Sequence, residues 1–228
     1  MKLLTPNAKY SFEIDDKLLE QVDLKDSMQV VKEAWVENVY QIQVGDFFDT
    51  GVFIDLGANI GAVSLYVASF NDNRDGKPIK VIAYEPEPHN LKYLSGNVKT
   101  NQKVEQIKIV NKAVYDYAGK MKITNRGGNS QLNTGEGAEV EVIPLRDVFT
   151  DNKIGECDVM KIDIEGAEYA VLLGAEVETL RKIKYLTLEF TGTSLEQFGK
   201  LVAHLAQVFN LHIIGTPQNG GYIYGRRY

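Results

Sequence analysis

The stretch from Val52 to Leu65 limits what this chain can fold into more than any other. Val52, Phe53 and Ile54 form a short apolar run closed by Asp55, the pattern of a buried parallel strand whose carboxyl end opens on a crevice. Gly57 and Gly61 bracket the turn that follows. There a missing Cβ admits positive φ and lets a ligand approach the backbone. Ala62, Leu65, Tyr66 and Phe70 recur at three- and four-residue spacings, so a helix leaves the turn. A strand, a glycine turn and a helix in that order predict an α/β sheet with a nucleotide-type ligand at the helix N-terminus.

The spacing distinguishes between ligands. A dinucleotide site uses G-x-G-x-x-G, whose middle glycine makes room for a pyrophosphate. Here the spacing is G-x-x-x-G and Asn59 stands in the middle. An acid at the strand end repels a pyrophosphate and attracts the ammonium and sulfonium of S-adenosylmethionine (SAM), so Asp55 favours SAM. Val81 to Tyr84 reads as the next strand, closed by Glu85 and Pro86, at about the distance at which an acid binds ribose hydroxyls.

The 228 residues suit one α/β domain, residues 51–228, with a small strand and helix extension over residues 1–50. A net charge of −6 disfavours a nonspecific grip on nucleic acid, which is therefore not expected as a partner. The single cysteine, Cys157, can form no internal disulfide, which fits a reducing compartment. The first residues are too short an apolar run for a signal peptide and no later run approaches a membrane span, so the expected location is cytoplasmic.

Along the chain, Tyr10, Phe12 and Ile14 alternate as a half-buried strand ending in an Asp15-Asp16 turn. A helix is predicted from Asp26 through Val30, Val31, Ala34, Trp35 and Val39. This segment is expected to pack across the core or cover the cofactor, with Tyr40 in the core or, alternatively, lining the SAM pocket. The strand Ile107–Val110 ends beside the purine in an adenosine-binding sheet, which makes Asn111 and the Ala113 backbone candidate adenine contacts. Residues 125–131 form a glycine-rich polar loop, either a lid or a hairpin connection. Val159 to Ile162 forms another strand, and Asp163, Glu165 and Glu168 lie at its carboxyl end or in the next helix. Such carboxylates orient a nucleophile, take a proton, hold a divalent cation, or merely favour a helix dipole. Tyr185–Phe190 is a strand placing Glu189 at the same crevice. Leu211–Ile214 and Tyr222–Tyr224 form a terminal hairpin.

Taken together, the sequence resembles the FkbM family of SAM-dependent methyltransferases. The residues that carry the resemblance are Ile54-Asp55-Leu56-Gly57-Ala58-Asn59-Ile60-Gly61, Tyr84-Glu85-Pro86-Glu87-Pro88 with Asn97 and Asn101, Lys161-Ile162-Asp163-Ile164-Glu165-Gly166-Ala167-Glu168, Leu173-Gly174 and Glu189. The resemblance implies a class I methyltransferase fold, a Rossmann-like, mostly parallel sheet with a terminal antiparallel hairpin. It also implies O-methylation of a hydroxyl on a sugar or small metabolite by in-line transfer. The candidate cofactor residues are Asp55, Gly57, Ala58, Asn59, Gly61, Glu85, Pro86, Asn111, Ala113 and Asp163, and the candidate catalytic residues are Asp163, Glu165 and Glu189. No metal ligand is assigned, although a divalent metal stays an alternative to a base. Methylation of nitrogen or RNA, a dinucleotide-dependent oxidoreductase and a non-catalytic SAM-binding module are the other readings. The sequence does not fix the oligomeric state.

Overall fold

The structure, a computed structural model, describes residues 2–5, 9–13, 23–47, 49–124, 130–133 and 135–228, with only the backbone for 23–27. The predicted contribution of Ile14, the Asp15-Asp16 turn and most of the loop after Thr124 lie outside those residues.

In chain order the elements are β1 (Lys2–Leu4), β2 (Ser11–Glu13), α1 (Asp23–Lys32), β3 (Val52–Leu56), α2 (Ala62–Ser69), β4 (Lys80–Tyr84), α3 (Pro88–Thr100) and β5 (Ile107–Val110). There follow β6 (Ala113–Tyr115), β7 (Gly119–Thr124), β8 (Gln131–Asn133), β9 (Ala138–Pro144), α4 (Leu145–Asp151), β10 (Cys157–Ile162) and α5 (Glu168–Gly174). The chain closes with α6 (Val177–Leu180), β11 (Ile183–Phe190), α7 (Leu195–Leu205), β12 (Phe209–Thr216) and β13 (Gly220–Arg227).

Seven strands form the main sheet in the order β12-β13-β11-β10-β3-β4-β5. β5, β4, β3, β10 and β11 run parallel, and β13 and β12 are antiparallel. The chain builds outward from β3 in one direction through β4 and β5, then returns to β10 on the other side. Ligands bind at the carboxyl ends of strands at such a reversal.

Every residue of β3 and β10 is buried, as their apolar runs require. Ile54, Leu56, Met160 and Ile162 face a core with α4, α5 and α7, while Phe53 and Val159 face α2 and the N-terminal segment. Helix α2 has no polar stripe because it is covered on both sides: six of its eight residues are buried. The Trp35 ring lies against Tyr10, Phe12 and Tyr66, and its indole N–H donates to the Ala62 carbonyl at 3.1 Å. Asn97 and Asn101 of α3 complete this layer. Asn97 accepts from Glu13 N at 2.6 Å and donates to the Ile60 carbonyl at 2.9 Å, while Asn101 accepts from Ser11 N and donates to its carbonyl.

Two features depart from the sequence reading. The N-terminal helix is not continuous to Val39; α1 widens into a π-type turn over Glu33–Glu37 and stops at Asn38, whose φ of 45° ends it. The strands β6 to β9, between Ala113 and Pro144, form a separate four-stranded sheet in the order β6-β9-β7-β8, which the sequence reading did not anticipate. β7 and β8 pair antiparallel.

Candidate active site

The ends of β3, β4 and β10 enclose a crevice of about 590 Å3 that opens to solvent. Gly57 and Asn59 line it from the turn after β3, Glu85 and Pro86 from the turn after β4, and Asp163, Ile164 and Glu165 from the loop after β10. Ala113 and Val114 of β6, Ile123 of β7 and Leu132 of β8 form an apolar wall, so the small second sheet closes one side.

The two acids at the crevice ends are held differently. Glu85 is 4% exposed; its Oε2 accepts from Asn59 N at 2.7 Å and its Oε1 from Glu87 N at 2.9 Å. Burial pushes its pKa up to about 7, and the two backbone N–H groups offset part of that rise. Asp163 accepts through Oδ2 from the Tyr40 hydroxyl at 2.8 Å, and Lys161 Nζ lies 3.4 Å from the same oxygen. Burial, followed by the charges of Asp163 and Glu189, pushes Glu165 up to about 8. Glu165 also sits in the left-handed region, at φ 53°. Burial and the Asp163 charge likewise raise Glu189 to about 7. Its Oε2 is 3.5 Å from the Tyr40 hydroxyl, a long contact.

Asp55 does not open on the crevice as the sequence reading expects. It is 0% exposed, accepts from the Ser64 hydroxyl at 2.6 Å, and its Oδ1 faces Lys161 Nζ at 3.1 Å. That oxygen makes no well-directed hydrogen bond, so charge rather than geometry holds the pair. The acids that do line the crevice are Asp163, Glu165 and Glu85. Ala58 and Gly61 are buried beneath the turn rather than exposed in it. The N–H of Ala58 is spent on the Tyr84 carbonyl, and a Cβ on Gly61 would lie 2.7 Å from Leu94. Asn111 is exposed and lies off the lining, where its neighbours Lys112 and Ala113 stand. Glu189 is half-buried beside Asp163 and Tyr40 but off the crevice wall. Glu168 is structural: 1% exposed, it accepts from Ile164 N and Gly166 N and fixes the loop carrying Asp163 and Glu165. Among the described residues no group of three or more His, Cys, Asp or Glu side chains is arranged to hold a metal ion, and no helix is long and apolar enough to cross a membrane.

Sequence reasoning missed Ile123 and Leu132, whose strands are three to six residues long, and Lys161, which it quoted without a role. Tyr40, expected in the core, is buried but also bonded to Asp163.

Residues 55–224 match the methyltransferase FkbM domain, which covers the turns after β3 and β4, the loop after β10 and the main sheet save the start of β3 and the end of β13. The chain belongs to the FkbM methyltransferase family. A curated relative, methyltransferase sdnD of Sordaria araneosa, is 27% identical over 196 residues, 70% of this chain and 73% of that protein. AMB antimetabolite synthetase AmbE of Pseudomonas aeruginosa is 24% identical over 211 residues, 74% of this chain but only 10% of that protein. An FkbM methyltransferase structure from Methylobacillus flagellatus KT superposes with a TM-score of 0.56 at 17% identity, over 93% of this chain and 55% of that one. This FkbM chain thus spans about half the length of that structure. An O-methyltransferase family protein from Burkholderia thailandensis gives a TM-score of 0.52 at 10% identity, over 95% of this chain and 63% of that one. At these identities the likeness is one of fold, that of class I methyltransferases.

Proposed function

We propose that this FkbM methyltransferase uses SAM to methylate a hydroxyl on a sugar or other small metabolite. The observation that carries the reading is the arrangement of one crevice with an anchored acid, Glu85, at one end, an apolar wall beside it, and the carboxylates of Asp163 and Glu165 at the other. A buried carboxylate such as Glu85 gains from further donors, which two ribose hydroxyls supply. Pro86, Ala113, Val114, Ile123 and Leu132 suit a purine face. A pyrophosphate finds no unpaired cation among the described residues of the crevice lining, because Lys112 is already paired with Glu141 at 2.6 Å, and a sulfonium and an ammonium bound there would favour the ionised form of the neighbouring acids. SAM, when bound, supplies a methyl group on a positively charged sulfur.

The chain's own contribution is orientation and proton transfer. Holding the reacting groups in one geometry is worth up to roughly 7–11 kcal/mol. A hydroxyl acceptor must also lose a proton, for which a placed base contributes about 10²–10⁴-fold. Asp163 takes that role, exposed to the crevice and fixed on its far side by Tyr40 and Lys161, with Glu189 and Glu165 next to it. Transfer of labelled methyl from SAM is measured with pools of sugars, small hydroxylated metabolites, amines and RNA. The expected result is label in a hydroxyl acceptor, with kcat about 10²-fold lower or less in Asp163→Asn. Label in amine or RNA pools alone, or undiminished turnover by Asp163→Asn, contradicts the reading.

A further inference from the structure

Lys161 is a charged side chain that is only 2% exposed. A buried ion pair is replaced by apolar residues with little or no loss of stability, so stability alone does not account for a lysine here. Its position in the sheet gives a second reason. Residues in register across adjacent strands share a face, and the row Ala83, Asp55, Lys161, Thr187, Tyr224 crosses β4, β3, β10, β11 and β13 directly beneath the crevice loops.

From that row the ammonium reaches several groups, the Leu56 carbonyl at 3.5 Å among them. It donates to the Gly57 carbonyl at 2.8 Å, faces Asp55 Oδ1 at 3.1 Å and Asp163 Oδ2 at 3.4 Å, and lies 5.2 Å from the centre of the Tyr40 ring. Tyr40 in turn donates its hydroxyl to the same Oδ2. Both donors therefore meet one oxygen of Asp163, and among the described residues no donor reaches Oδ1. Asp163 keeps 23% of its side chain exposed at the crevice. We propose that Lys161 and Tyr40 are positioning residues that hold Oδ2 of Asp163 and thereby turn Oδ1 toward the methyl acceptor.

The inference rests on the reading of Asp163 as the acceptor's base. It makes the N-terminal segment, through Tyr40, a part of the catalytic apparatus and not only a cover. It also gives a reason for a cation among the acids it acts on: Asp55 of β3, Asp163 and Glu165 of the loop after β10, Glu189 of β11 and Glu85 after β4. Burial opposes a charge on Lys161, but Asp55 and Asp163 outweigh it and hold its pKa above the ordinary lysine value. Its charge works against the rises at Glu165 and Glu189.

The test uses the full chain with S-adenosylhomocysteine (SAH). Tyr40→Phe keeps the ring over Lys161 and removes only the hydroxyl; Lys161→Gln removes the charge. Crystal structures of both with SAH are expected to show the Asp163 carboxylate leaving its rotamer while β3 and β10 keep their register. Carbon-13 NMR is expected to show the Glu189 midpoint moving up in Lys161→Gln, which reports loss of the Lys161 charge, and staying near its wild-type value in Tyr40→Phe, so that the Asp163 conformer in Tyr40→Phe reads positioning apart from charge. With an acceptor in hand, kcat falls about tenfold or more at unchanged KM for SAM. Asp163 keeping its conformer in both variants overturns the inference. If Lys161→Gln does not fold, Tyr40→Phe decides, because it leaves the buried ion pair intact. Absence of any SAH response in the wild type would overturn the cofactor reading instead and leave the conformer result standing.

Discussion

Glu165, Glu189 and Glu85 are shifted toward the protonated form relative to ordinary carboxylates, because burial first, and then repulsion by neighbouring acids (Asp163 at Glu165 and Glu189, Glu87 at Glu85), favours the neutral form. In the unfolded chain they titrate near 4.3, roughly. Between about pH 4.5 and pH 8 the folded protein therefore binds more protons than the unfolded one, and stability falls as pH rises through that window. The Asp72 carboxyl works the other way: burial opposes its charge, but Lys103, Lys9 and Tyr10 hold it at about 2, so its contribution is lost only in strong acid. Calorimetry should find a higher Tm near about pH 5.5 than near about pH 8.5, each kcal/mol being worth about 2–4 °C in a chain of this size. Glu165→Gln should flatten the slope. A Tm that climbs over that interval would show that these acids are ionised without cost. None of this is visible in sequence, where Asp55 and Asp163 look alike; only the fold buries Asp55 completely and leaves Asp163 partly exposed at the crevice, with Lys161 against both.

At the scale of elements, the ends of β3 and β10 touch more closely than any residue but glycine allows. A Cβ on Gly57 would lie 1.7 Å from the Asp163 carbonyl, and Gly57 has φ 79°. The glycine is needed because backbone meets backbone, in addition to any ligand that approaches it. Gly57→Ala is expected to cost at least ~3 kcal/mol, read from the urea midpoint, because it combines a left-handed conformation with overpacking against a main-chain atom. A loss under about 1 kcal/mol would mean that the two loops are free to part. The long elements were legible in sequence because their periodicity is strong: β3, β4, β5, β10, β11 and the terminal hairpin each have a counterpart in the apolar runs. The second sheet was not, because β6 and β8 have three residues each and alternation over three residues carries little signal. The break after α1 was hidden too, since Trp35 and Val39 keep a helical spacing while the backbone widens.

Across the whole molecule, the N-terminal segment, the main sheet and the small sheet each contribute to one crevice: Tyr40 beneath Asp163, Glu85 and the glycine turn at the centre, Ile123 and Leu132 at the side. The acidic character there was legible even though its bearer was not, because acids stand at the ends of β3, β4 and β10, and those after β4 and β10 line the crevice while Asp55 of β3 is buried. The measurement that bears most directly on this account is thermal unfolding of the full chain with SAH, SAM or NAD at about 100 times the dissociation constant. Either adenosyl ligand should stabilise the fold by about 2.7 kcal/mol, a rise of roughly 5–10 °C in Tm that Glu85→Ala abolishes and NAD does not produce. No rise with SAH or SAM, or an equal rise with NAD, would contradict the account.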